Sequence, residues 1–213
     1  MSRDHILHKV RTALGRNAGQ APEPAPPVRL TIPLQETSAR IASLCARVEA
    51  LAGNTYQAES PAAAGRYVAE AIEGKTAVAS NASLLAECGI TALPNVRSGF
   101  YESASLREAC ASAGCGISSA DYALADTGTL VMLASPQEAR LISLLPPVHI
   151  AVVSSARVLT SLDELLALLP RPAEQTSSMV LITGPSRTAD IEQILIRGVH
   201  GPGEVQAIIV ENA

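Results

Sequence analysis

Two glycine-rich stretches hold most of the side chains that could do chemistry. The first, Ala125-Asp126-Thr127-Gly128-Thr129-Leu130-Val131, sets a carboxylate beside a glycine. Asp126 there could act as a general base or accept a hydrogen bond from a substrate hydroxyl. It could equally close an Asx turn. Gly128 permits a positive φ or the close approach of a ligand, with Thr129 alongside. The second stretch is Thr183-Gly184-Pro185-Ser186-Arg187-Thr188, followed by Gly198-Val199-His200-Gly201-Pro202-Gly203. Gly184, Ser186, Arg187 and Thr188 would frame a small anion if a helix began there, because free backbone N–H groups point outward at a helix start. The Arg187 guanidinium suits a carboxylate or a phosphate. His200 lies in a Gly-Pro-Gly loop, where a proton carrier is more expected than in a core. His149, flanked by Val148 and Ile150, reads as a hydrogen-bonded core residue.

These residues need elements to position them. The apolar run 179–183 predicts a strand leading into Gly184, and 188–197 reads as the helix that follows. Apolar runs at 130–134, 148–153 and 206–210 predict further strands. Helices are expected at 36–52, 61–73, 82–88 and 103–114, with one opened by Pro136 that includes Glu138 to Leu144, and one from Ser161 to Leu169. Short strands fall near 54–58, 76–80 and 96–99. Strands that are apolar throughout and alternate with helices argue for an α/β fold: an open, mostly parallel, three-layer sheet over residues 34–213. Ligands in such sheets bind beyond the carboxyl ends of the strands. Residues 1–33 form an appendage, with a helix at 3–15 and then a linker carrying prolines 22, 24, 26, 27 and 33.

Composition narrows the function classes. Aromatic residues make up 2% of the 213-residue chain, and its net charge is −4. Both argue against nucleic acid, which calls for stacking rings or a basic face. No run approaches the length of a membrane span, and the N-terminus lacks a signal-peptide core, so a cytoplasmic location is expected. Cys45, Cys88, Cys110 and Cys115 form no Cys-x-x-Cys pair, so neither a metal nor a cluster is expected on this chain.

Taken in order, Ala-Asp-Thr-Gly-Thr-Leu, Leu-Pro-Pro-Val-His-Ile, Gly-Pro-Ser-Arg-Thr-Ala-Asp-Ile-Glu and Gly-Val-His-Gly-Pro resemble the signature of the LUD-domain family, over roughly residues 60–211. The resemblance implies a fold like that of ribose-5-phosphate isomerase and the CoA transferases. It also implies a role in L-lactate utilization: a non-redox subunit in the oxidation of L-lactate to pyruvate, whose partner subunits carry the iron–sulfur clusters. In such a role the chain would bind a small carboxylate at Arg187, with His200 nearby. The family pattern has Glu where this chain has Asp126, so the carboxylate here sits one methylene further back. The alternative that the fold suggests is a stand-alone isomerase or CoA-transferase-like enzyme acting on a sugar phosphate or acyl-CoA. Asp126 would then be the suggestive carboxylate nucleophile.

Overall fold

The structure is a computed structural model that describes residues 2–21, 33, 35–189 and 195–211. The chain divides into two compact units, Met1–Thr31 and Ile32–Ala213. The first holds helix α1 (Arg3–Ala13), in which Ser2 caps the N-terminus by accepting from the His5 N–H and no residue is buried. Of the proline-rich stretch, residues 22–32 lie outside the described residues.

The second unit runs α2 (Thr37–Ala50), β1 (Asn54–Ala58), α3 (Pro61–Ala71), β2 (Ala77–Ala79), α4 (Ser83–Glu87), β3 (Val96–Arg97), α5 (Ser103–Ser112) and β4 (Cys115–Ser119). It continues through β5 (Tyr122–Leu124), β6 (Thr129–Leu133), α6 (Leu141–Leu144), β7 (Val148–Ser154), β8 (Val158–Leu159), α7 (Leu162–Leu168) and α8 (Pro172–Gln175). β9 (Met179–Ile182), β10 (Arg187–Ala189), β11 (Leu195–Arg197) and β12 (Glu204–Val210) complete it. Six strands form a wholly parallel sheet in the order β1-β12-β7-β4-β2-β3. The mostly parallel α/β architecture expected from the sequence is the one observed.

Period-two alternation on the central strands splits the core in two. Ile150 and Val152 of β7, with Ile208 and Val210 of β12, face α3 and α4. Ala151, Val153, Ala207 and Ile209 face the other way, onto the Ile41, Leu44, Cys45 and Val48 stripe of α2. That second face is shared with a four-stranded mixed sheet, β8-β5-β6-β9, which is an addition to the expected fold. Leu165 and Leu169 cover the far side of this smaller sheet.

Two expected elements are corrected. The helix read over 188–197 is not formed at its described ends, where β10 and β11 pair antiparallel with Arg187 opposite Arg197. Residues 190–194 lie outside the described residues. The helix expected from Pro136 is likewise only the short α6, because Ser135 takes over the preceding turn: its hydroxyl accepts from the N–H groups of Gln137 and Glu138.

Candidate functional site

The carboxyl ends of β2, β4 and β7 open into a cavity of about 1100 Å³. Its wall includes Asn81, Ser119, Asp121, Glu138, Ser154 and Arg157. This is the edge where open parallel sheets gather ligand groups. Ser119 ends β4 and Ser154 ends β7, while Asp121 lies in the two-residue link between β4 and β5. Asn81 follows β2. Its side-chain amide donates to the Phe100 carbonyl at 3.0 Å and its oxygen accepts from Gly99 N–H at 2.8 Å, so the β2–α4 loop is tied to the chain entering α5.

Glu138 is delivered by the Ser135 turn and is only 6% exposed. Its Oε2 accepts from the Ser80 hydroxyl at 2.6 Å and from the Ser119 N–H at 3.0 Å. Its Oε1 is buried with no hydrogen-bond partner among the described residues. Burial pushes this carboxyl up to about 7; the two donated bonds oppose the rise and the neighbouring Asp121 adds to it. A neutral acid is the form in which a buried oxygen without a donor is least costly. Asp121 is also raised by burial, although its Oδ2 accepts from the Leu133 N–H at 2.6 Å. Arg157 supplies the cation of this wall. Its guanidinium lies over the Tyr122 ring, 5.3 Å from the centroid, and donates to the Tyr122 hydroxyl at 3.3 Å. The cavity thus offers one guanidinium, several hydroxyls and an acid able to give or take a proton near neutral pH. That set can hold a small hydroxylated carboxylate.

The residues singled out from the sequence gather elsewhere. Gly128 has φ +71°, and a Cβ there would lie 2.8 Å from Cβ of Arg47 in α2. Gly184 has φ +88° and packs on Leu51, one turn further along. Thr129 bonds both Thr127 and Thr183 at 2.8 Å, which joins the two motifs. Ser186 N–H donates to the Pro202 carbonyl at 2.8 Å, and the Ser186 carbonyl accepts from Gly198 N–H at 3.0 Å. Thr188 lies on β10 and His200 is exposed in the 198–203 loop. Arg187 donates to the backbone carbonyl of Leu51, the C-terminal cap of α2. The expected helix N-terminus is therefore replaced by the opposite situation, a cation at a helix C-terminus, where it is electrostatically favoured. Asp126 N–H donates to the Thr160 carbonyl at 3.1 Å, and its Oδ1 is buried without a partner among the described residues. None of these motif residues lines the large cavity.

His149 is fully buried, and its Nε2 lies 2.6 Å from the Ser118 hydroxyl. That is the core role its flanking residues suggest. Burial lowers it to about 4, so the ring is neutral at physiological pH. All four cysteines are free and buried, and burial raises each thiol, Cys88 to about 11 and Cys115 to about 12. Among the described residues no His, Cys, Asp or Glu cluster could hold a metal ion. No helix among them is long and apolar enough to cross a membrane.

Comparison with known proteins agrees with this architecture. The chain is 41% identical over 110 residues to lactate utilization protein C of Exiguobacterium sp., an alignment covering 50% of this chain and 48% of that protein. It is 38% identical over 111 residues to lactate utilization protein C of Halalkalibacterium halodurans, again covering 50% and 48%. The chain thus spans about half the length of the curated relatives it matches. In fold it is similar to the crystal structure of a DUF162 family protein from Deinococcus radiodurans. That similarity has a TM-score of 0.62 at 16% identity and covers 83% of this chain and 99% of that one. A model of the LUD domain matches residues 41–210, most of the chain, and the protein belongs to the LUD domain family.

Proposed function

We propose that this protein serves L-lactate utilization as an iron–sulfur-free component of a lactate-oxidising assembly, and that it holds the small carboxylate, L-lactate or pyruvate, in the large cavity. The observation that carries the reading is the convergence of Arg157, Asp121 and the buried Glu138 at the carboxyl edge of the parallel sheet. The guanidinium pairs with the ligand carboxylate, and the hydroxyls and the Glu138 acid meet its 2-hydroxyl or 2-oxo group. The names of the relatives support the metabolic setting. Four scattered, protonated thiols support leaving electron transfer to partner subunits that carry the clusters.

The test has two parts. Deleting the gene from a strain without another lactate dehydrogenase abolishes growth on L-lactate, and the wild-type gene restores it; normal growth of the deletion strain sinks the metabolic role. Titration calorimetry with pyruvate locates the ligand. Arg157→Ala weakens binding if the cavity holds it, whereas Arg187→Ala or His200→Ala weakens binding if the ligand sits at the motif turns instead.

One observation favours a second reading, a stand-alone enzyme of the isomerase or CoA-transferase type. A buried carboxyl at a cavity wall is the group such chemistry uses, and here it is Glu138 rather than Asp126 that occupies that position. Turnover of a sugar phosphate or an acyl-CoA by the purified chain alone would select this reading.

A further inference from the structure

Behind Glu138 lies a second cavity of about 470 Å³, lined by Ser103, Arg107, Glu138, Arg140, Ser177 and Ser178 among others. Glu138 and Ser135 line both cavities, so this stretch forms a wall common to the two. Two exposed arginines line the smaller cavity, Arg107 from the middle of α5 and Arg140 from the residue that precedes α6. Arg140 reaches the Ser178 hydroxyl at 3.5 Å, and neither arginine has an ion pair among the described residues. Glu138 is the one carboxyl on the lining, and it is more than nine-tenths buried with Oε1 unpartnered.

We propose that this second cavity is an oxyanion site, in which Arg107 and Arg140 clamp a phosphate, sulfate or carboxylate group in front of the wall that carries Glu138. The four serines of the lining supply further hydroxyls. The site is separate from the carboxylate position proposed in the larger cavity and does not depend on it.

The electrostatics give the site a pH signature. The charged groups that line the two cavities Glu138 shares are Arg107 on α5, Arg140 before α6, Asp121 after β4, Glu87 on α4 and Arg157 after β7. Asp121 is the neighbour whose charge raises Glu138 further, and burial is the larger cause. An oxyanion binds well while Glu138 is an acid and is repelled once it ionises, so affinity falls as pH rises through about 7.

Sulfate and pyruvate are suitable probes because neither titrates between pH 6 and 8. Calorimetry of the full chain with sulfate at pH 6, 7 and 8 should show affinity falling at least fivefold across the range. Arg107→Gln and Arg140→Gln should each weaken sulfate at least tenfold at pH 6 and leave pyruvate binding in the larger cavity unchanged. Glu138→Gln, which keeps the shape and cannot ionise, should bind sulfate with a flat pH profile. A fold check by circular dichroism accompanies each variant. If pyruvate competes with sulfate and is itself lost in Arg107→Gln, the natural occupant is a carboxylate; if only sulfate responds, it is a phosphate-like group. Absence of sulfate binding, or binding indifferent to both arginine variants, overturns the proposal. A pH slope that survives in Glu138→Gln overturns the role of Glu138. Loss of the Arg157 effect on pyruvate counts against the carboxylate reading of the larger cavity and leaves this site standing.

Discussion

Arg187 donates its guanidinium hydrogen bond to the main-chain carbonyl of Leu51, the residue that closes α2. Across the antiparallel β10–β11 pair it faces Arg197, and like charges directly opposite one another repel. The carbonyl end of α2 provides the compensating negative potential. This contact fastens the 184–187 turn to α2, and with Gly184 on Leu51 and Gly128 on Arg47 it makes the helix's last turn the seat of both glycine motifs.

Arg187→Ala should therefore act on stability. A charge-assisted bond at an exposed helix end contributes about 1 kcal/mol. Denaturant unfolding should show a loss of that size, with pyruvate affinity unchanged. An affinity drop of tenfold or more, without a matching loss of stability, would return Arg187 to the ligand.

Arg157 should behave in the opposite way. Its guanidinium is exposed at the cavity wall and held by the Tyr122 ring and hydroxyl. Arg157→Gln should leave the unfolding midpoint nearly unchanged and weaken pyruvate about tenfold, the order of one charge-assisted pair. The wild-type affinity should also fall with added sodium chloride, and the variant's should respond less. Equal salt dependence in the two proteins would separate Arg157 from the ligand.

Two buried groups oppose each other in the acid range. Glu138 has a folded value near 7 against an ordinary 4.5, so between those values the native state holds more protons than the unfolded chain. Its contribution to stability thus declines as pH rises from 4.5 to 7. His149 has a folded value near 4 against an ordinary 6.5, so the unfolded chain holds more protons, and stability declines as pH falls from 6.5 to 4. Between pH 4.5 and 6.5 the two slopes largely cancel. Glu138→Gln should unmask a stability that falls steeply on acidification, and His149→Gln one that falls on moving from pH 4.5 to neutrality. The full His149 effect amounts to about 3 kcal/mol by pH 4. Parallel pH profiles for the two variants would contradict these assignments.

The frame of this fold was easier to read than its site, for a physical reason. β7 and β12 carry runs of Val, Ile and Ala buried on both faces, and such runs announce a covered parallel strand. β5, of three residues, and β8, of two, carry no such signal, so local sequence does not announce the second sheet; β4, with sequence Cys-Gly-Ile-Ser-Ser, is equally silent within the first. The stretch after Arg187 has apolar residues at helical spacing in Ile191, Ile194 and Leu195, but the described ends pair as strands, a tertiary choice that local periodicity does not encode. Glu138 falls in the helix that the sequence predicts from Pro136. What turns it inward is the Ser135 turn together with Ser80 and Ser119, which lie 58 and 19 residues away in the chain. No spacing rule reports such a meeting. A Ser-Pro-x-Glu turn directly after an apolar strand is the one local sign that could have directed attention there.

Gly128 offers the sharpest separation of packing from ligand contact at the motifs. Its φ of +71° is strained for any side chain, and an added Cβ would meet Arg47 Cβ at 2.8 Å and Val48 N at 2.9 Å. The obstacle is α2 itself, much of it backbone, which cannot swing aside as a flexible side chain would. Gly128→Ala should cost roughly 2 kcal/mol or more, combining left-handed strain with the clash. Because the large cavity is walled by other residues, the folded fraction should bind pyruvate with wild-type affinity. A stable Gly128→Ala protein that has lost pyruvate binding would mean that the glycine leaves room for the ligand and not for the helix. The motif turns, and not the carboxyl edge of the sheet, would then hold the substrate.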